Sequence, residues 1–140
     1  MDKKRLERYA DLIVKSGINV QKGQEVLIRC ELDQPEFVKM VVEKCYQAGA
    51  DRVEIEWKHM PITKLNAIYR TEQSLSDFTY ADEAKLKRRS EVLPCLIWLD
   101  SEDPDGLIGT DHEKLAKARM AIYPKQKPYV EAMENKYQWC

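Results

Sequence analysis

The sequence predicts an α/β fold, a three-layer sandwich around a small, mostly parallel sheet of three to four strands. Three observations lead there. Val26–Leu32 is a mostly apolar run, and a run apolar on both faces suits a buried strand of a parallel sheet. Shorter strand-like runs recur at Arg52–Trp57 and Cys95–Leu99. Stretches with helical spacing separate them, and strands separated by helices pair in parallel through right-handed crossovers.

Each element has its own reason. Residues 2–16 carry Leu6, Tyr9, Ala10, Ile13 and Val14 at three-to-four spacing, an amphipathic helix that Asp2 can cap and Gly17 can end as a left-handed residue. Gly23 supplies a turn before the Val26 strand. Pro35 fits the first turn of the next helix, with Asp33 or Gln34 before it as cap. Phe37, Val41, Cys45 and Ala48 form one row of that helix, and Gly49 stops it. In Arg52–Trp57 the residues Val53, Ile55 and Trp57 alternate with Glu54 and Glu56, as in a strand nearer the sheet edge. Residues 61–73 read as a helix, 71–79 as a polar loop and 80–91 as a helix whose acidic start and basic end match its dipole. After Cys95–Leu99, a helix over Asp111–Tyr123 is broken by Pro124, and helix resumes over 125–136. Tyr137–Cys140 reads as the opening of a fourth strand.

The 140 residues suit one domain, 1–140. The net charge of -1 gives no footprint for nucleic acid and no polybasic patch for a membrane. No apolar run approaches the roughly 20 residues of a spanning helix, and the basic N-terminus lacks the apolar core of a secretory signal. Cys30, Cys45, Cys95 and Cys140 form no Cys-x-x-Cys pair and read as small buried thiols of a cytoplasmic protein. Trp57, Trp98 and Trp139 fall in strands, where core packing is the ordinary role.

In an open parallel sheet, ligands sit beyond the carboxyl ends of the strands. Those ends hold Glu31, Asp33, Glu56, His59, Asp100, Glu102 and Asp103, six carboxylates and one imidazole. Such a set either ligates a hard cation or caps the helices that follow, the commoner use of acidic residues there. A calcium loop at Asp100–Gly106 fails on register, because His112 then stands where the bidentate Glu belongs. No His-Glu-x-x-His, Gly-x-Gly-x-x-Gly, P-loop or Gly-x-Ser-x-Gly is present. Spacing alone therefore defines a fold class and no catalytic set.

Three ordered patches go further. Leu6–Lys15, Gly17–Ile28 and Tyr46–Ile55, joined by Asp103-Pro-Asp-Gly-Leu-Ile-Gly-Thr-Asp-His-Glu-Lys-Leu-Ala116, resemble the N-terminal region of the M29, thermophilic-type metallo-aminopeptidase family. Thr110 and His112 depart from the Val and Pro commoner there. The resemblance implies a parent enzyme that removes N-terminal residues from peptides with two divalent cations of Zn, Co or Mg type. The family's Glu, His, Tyr and Asp ligands lie in a C-terminal half that has no counterpart here. It therefore carries over no catalytic and no metal residue. The fragment alone is expected to be inactive, helping wall the substrate cavity and set a homodimer. Its partners would be the missing catalytic domain and the peptide, and a stop at Trp139-Cys140 fits truncation as a strand begins. The alternative is a stand-alone, Mg²⁺-dependent receiver-like domain using Asp33, Asp100 and Asp103 with Lys58, or a pure interaction module.

Overall fold

The computed structural model describes residues 2–100 and 105–140. The chain divides into two compact units that interleave along the sequence. The first comprises residues 1–58, 93–101 and 136–140; the second comprises 59–92 and 102–135.

The first unit is α/β. Helix α1 spans Lys3–Leu12 and passes into a π-helical turn over Ile13–Gly17. Strand β1 is Glu25–Glu31, helix α2 is Pro35–Gln47, β2 is Arg52–Lys58 and β3 is Cys95–Leu99. The sheet is parallel throughout, in the order β2-β1-β3. The run apolar on both faces is thus the central strand, and the alternating one lies at the edge, as their patterns predict. Period-two alternation sends Val26, Ile28 and Cys30 to one face, where Ile97 and Cys95 join them. Helix α1, the π-helical turn and helix α2 cover that face with Ala10, then Ile13 and Val14, then Phe37, Val38, Val41 and Cys45, forming a single core. Close to the far edge, Tyr137–Cys140 pairs alongside β3: Leu96 N donates to Gln138 O at 2.9 Å and Trp98 N to Cys140 O at 2.8 Å. This is the expected fourth strand in its shortest form.

Several local expectations hold. Asp2 Oδ1 accepts from Arg5 N at 2.9 Å and caps α1. Pro35 occupies the first turn of α2. Others need correction. Gly17 has no left-handed backbone, and that conformation falls to Asn19 instead, at φ 47°. What glycine provides at 17 is room, since a Cβ there would lie 2.7 Å from Cys140 Sγ. Gln34 stands at the N-cap of α2, but its side chain makes no capping hydrogen bond. The tryptophans are not core residues: Trp57, Trp98 and Trp139 are 44%, 45% and 69% exposed. In β3, alternation turns Cys95 and Ile97 inward and Trp98 to the opposite face, where the Arg29 guanidinium lies 4.8 Å from its ring.

The second unit is helical. It contains α3 (Met60–Tyr69), α4 (Glu72–Leu75), α5 (Tyr80–Val92) and α6 (His112–Met133). α4 and α5 both pack on α6. The expected polar loop contains α4, one turn whose cap Thr71 accepts from Ser74 N at 3.0 Å. Pro124 does not break α6, which runs through both Pro124 and Pro128. Lys114 Nζ donates to Arg70 O at 2.9 Å, satisfying a carbonyl beyond the end of α3. Among the described residues, no helix is long and apolar enough to cross a membrane.

Cys30, Cys45 and Cys95 are free and buried, whereas Cys140 is exposed, against the expectation that all four are buried. Burial pushes the Cys45 thiol up to about 12, helped by Cys95. A pKa raised in the folded state favours the neutral thiol, so its stabilisation is complete below the ordinary value of 9.0 and is lost as pH climbs towards about 12. In the folded protein at about pH 8, a thiol reagent is expected to modify Cys140 alone. Mass spectrometry of the labelled protein checks this, and fast labelling of a second cysteine before unfolding contradicts it.

Candidate functional site

The strand order creates a switch point. From β1 the chain moves to β2 on one side and later returns to β3 on the other. Crossovers leaving in opposite directions open a crevice at the carboxyl ends of the two strands between them, here β1 and β3. A cleft of about 180 Å³ lies there. Its lining comes from the end of β1 and the following turn (Cys30, Glu31, Asp33, Gln34), the start of α2 (Phe37, Val38), the end of β3 (Trp98, Leu99, Asp100) and Tyr9 of α1.

Three of the seven sequence-predicted strand-end residues meet in this cleft: Glu31, Asp33 and Asp100. Glu31 is 8% exposed, the sole charged side chain buried among the described residues. Its Oε1 is shut off from solvent and has no hydrogen-bond partner among them. Asp33 and Asp100 are exposed and lie at the rim. Glu56 is not in the cleft; its Oε2 accepts from Arg29 Nε at 2.9 Å. His59 belongs to the second unit, at the N-cap of α3 without a side-chain cap bond. Glu102 and Asp103 lie outside the described residues.

The residues missed from sequence are aromatic. Tyr9 and Phe37 stack with ring centroids 5.7 Å apart at 18°, and they wall the cleft with Trp98. Both fit apolar helix stripes, so period alone assigns them to the core; only the strand order brings them to a crevice. The charge balance is negative. Burial, then the charges of Glu31 and Asp33, push the Cys30 thiol up to about 11. No Lys, Arg or His lines the cleft among the described residues.

An open parallel sheet with a polar cleft at its switch point is the plan of a ligand-holding α/β domain. The chain belongs to the M29 family of thermophilic metalloproteases, whose model matches residues 2–140. It is similar to aminopeptidase PepS of Streptococcus thermophilus, 29% identical over 98% of this chain and 33% of that one. Aminopeptidase AmpS of Bacillus subtilis is 31% identical over 84% of this chain and 28% of its own. The structure of wild-type AmpT from Thermus thermophilus superposes with a TM-score of 0.83 at 26% identity, covering 98% of this chain and 35% of that chain. The chain thus spans about a third of the length of these relatives.

The family's description implies a metal. Among the described residues, no three His, Cys, Asp or Glu side chains gather closely enough to hold one. One buried and two rim carboxylates do not make the donor set of a two-metal hydrolase, and no metal step is assigned to them.

Proposed function

We propose that this chain serves a metal-dependent aminopeptidase that removes N-terminal residues from peptides. In that enzyme it is the part that walls the substrate cavity, with two divalent cations and their ligands supplied by residues outside this sequence. One observation carries the reading: the M29 match extends across residues 2–140. The chain's share of its relatives, about a third, supports a division of labour between this α/β piece and a catalytic one. The exposed apolar stripe Ile62, Leu65 and Tyr69 on α3 supports a homodimer or domain contact that covers it. Free, unpaired thiols fit a reducing, cytoplasmic setting.

The receiver-like alternative is not favoured. Asp33 and Asp100 share the cleft, but Asp103 lies outside the described residues, and neither of the two forms a three-donor group.

The test is hydrolysis of aminoacyl-nitroanilides by the 140-residue chain with added Co²⁺ or Zn²⁺. No turnover above a mock purification is expected. Turnover abolished by a chelator overturns the assignment of a non-catalytic role.

A further inference from the structure

We propose that the open edge of β2 is a docking surface for a second copy of this chain, the two β2 strands pairing antiparallel about a two-fold axis at Glu56 and joining two sheets into one. The inference rests on β2 and uses a surface other than the α3 stripe, so it stands or falls separately from the aminopeptidase reading.

β2 lies at the sheet edge, with β1 as its only strand neighbour among the described residues. Half of its backbone groups therefore point away from the sheet, ready to template another strand. Two hydrogen bonds show which half. Lys58 O accepts from Leu32 N at 3.1 Å, on the β1 side. Val53 N donates to Tyr46 Oη at 3.1 Å, away from β1. Backbone groups alternate in direction along a strand, so Arg52, Glu54, Glu56 and Lys58 bond β1, whereas Val53, Ile55 and Trp57 face outward. Edge strands are commonly blunted by a proline or a bulge. β2 has no proline, and its register with β1 runs unbroken from Arg52 to Lys58.

Self-pairing leaves few registers. Outward residues directly opposite each other in an antiparallel pair exchange two hydrogen bonds. An axis at Glu54 or at Ile55 requires Val53 N, which Tyr46 already holds. The first also sets Glu54 against the partner's Glu54, and the second sets Glu54 against the partner's Glu56 and Arg52 against the partner's Lys58. An axis at Trp57 carries Ile55 opposite the partner's His59, outside the strand. An axis at Glu56 avoids all three faults. Ile55 then faces the partner's Trp57 and Trp57 the partner's Ile55, which gives four backbone hydrogen bonds from outward groups. On the core face, Trp57, 44% exposed, packs on the partner's Ile55 as an aromatic–aliphatic pair. On the other face, Glu54 stands opposite the partner's Lys58, twice by symmetry. Glu54 otherwise meets only Arg52, at 3.1 Å in an exposed pair of the kind that contributes little. Lys58 lies beside Glu31 in the β1 register and has an exposed side chain. The two Glu56 carboxylates meet at the axis, each held by its own Arg29 at 2.9 Å.

Four backbone bonds and two ion pairs make a contact below the roughly 1,200 Å² of a stable interface, so association is weak, with a Kd on the order of 100 μM. Sedimentation equilibrium of the 140-residue protein from about 5 to about 500 μM spans that value. A monomer–dimer equilibrium is expected, with hydrogen exchange at the Ile55 and Trp57 amides slowing as concentration rises. Lys58→Glu and Glu54→Lys each set like charges across both ion pairs, and each is expected to weaken the dimer at least tenfold. The double variant Glu54→Lys/Lys58→Glu restores opposite charges and is expected to return the Kd to within about threefold. Should one single variant not fold, the other and the exchange measurement on the unaltered protein decide. The proposal is overturned by a monomer at every concentration, by a dimer that a folded charge reversal leaves unchanged, by a folded double variant that restores nothing, or by dimerisation without protection at Ile55 and Trp57.

Discussion

Replacing Ile28 with alanine is expected to destabilise the protein by about 3 kcal/mol, within the 2–5 kcal/mol typical of deleting a large core side chain. Ile28 has no exposed surface and sits mid-way along the central strand. Its register partners are Ile55 on β2 and Ile97 on β3, so the lost methylenes leave a hole bordered by both neighbouring strands. The surrounding packing comes from two helices as well as three strands, which limits collapse into the gap. A domain of this size has a net stability of about 5–15 kcal/mol, so a loss of this order moves the unfolding midpoint visibly. Urea denaturation followed by circular dichroism measures it. A change below about 1 kcal/mol would show that the site relaxes to fill the space.

The second large effect is at Gly49. Its φ of 105° is one that side-chain-bearing residues rarely adopt. A Cβ there would also stand 3.0 Å from the Cα of Lys22, a backbone atom with little freedom to move. The two backbones are fastened at this point, where Gly23 N donates to Gly49 O at 2.8 Å. Gly49→Ala is therefore expected to cost about 2–3 kcal/mol, combining strain with collision. Gly23→Ala is the control. Gly23 has φ 87° and open space around its Cβ position, so strain alone applies and about 1 kcal/mol is expected. Denaturation midpoints of the two variants measure the difference, and equal losses would rule out the Lys22 collision.

The sheet was largely legible in the sequence because its residues announce both type and depth. Val26–Ile28 is apolar at successive positions, as only a strand covered on both faces need be, and Val53, Ile55 and Trp57 alternate as a less covered strand does. Gly23, Gly49 and Pro94 mark ends that local backbone chemistry fixes. α4 was illegible because four residues are too few for an apolar period, and its stability comes from Thr71 and from Arg70 reaching Ser74. Proline removes a helical donor, so the sequence predicts a break at Pro124; α6 nonetheless runs through it, packed against α4 and α5. Of the candidate site, strand ends could be read but not which two ends adjoin. The strand order depends on long-range pairing, and without it Glu31, Asp33 and Asp100 cannot be told apart from Glu56 and His59.

Gln138 ties together parts of the first unit that are far apart in the chain. Its Nε2 donates to Ile18 O at 2.8 Å and to Asn19 O at 2.9 Å, and its Oε1 accepts from Gln24 Nε2 at 2.9 Å. These contacts span 114 to 120 residues, and the β1–β3 pairing must also wait for residues beyond 92. Contacts of such sequence separation demand closing long loops before they return any stabilisation, which slows folding. In kinetic terms, β3 and its last partner strand close late. A ribosome-bound chain holds an open sheet edge until residues 137–140 emerge, and early α1, β1, α2 and β2 supply the template on which that closure occurs.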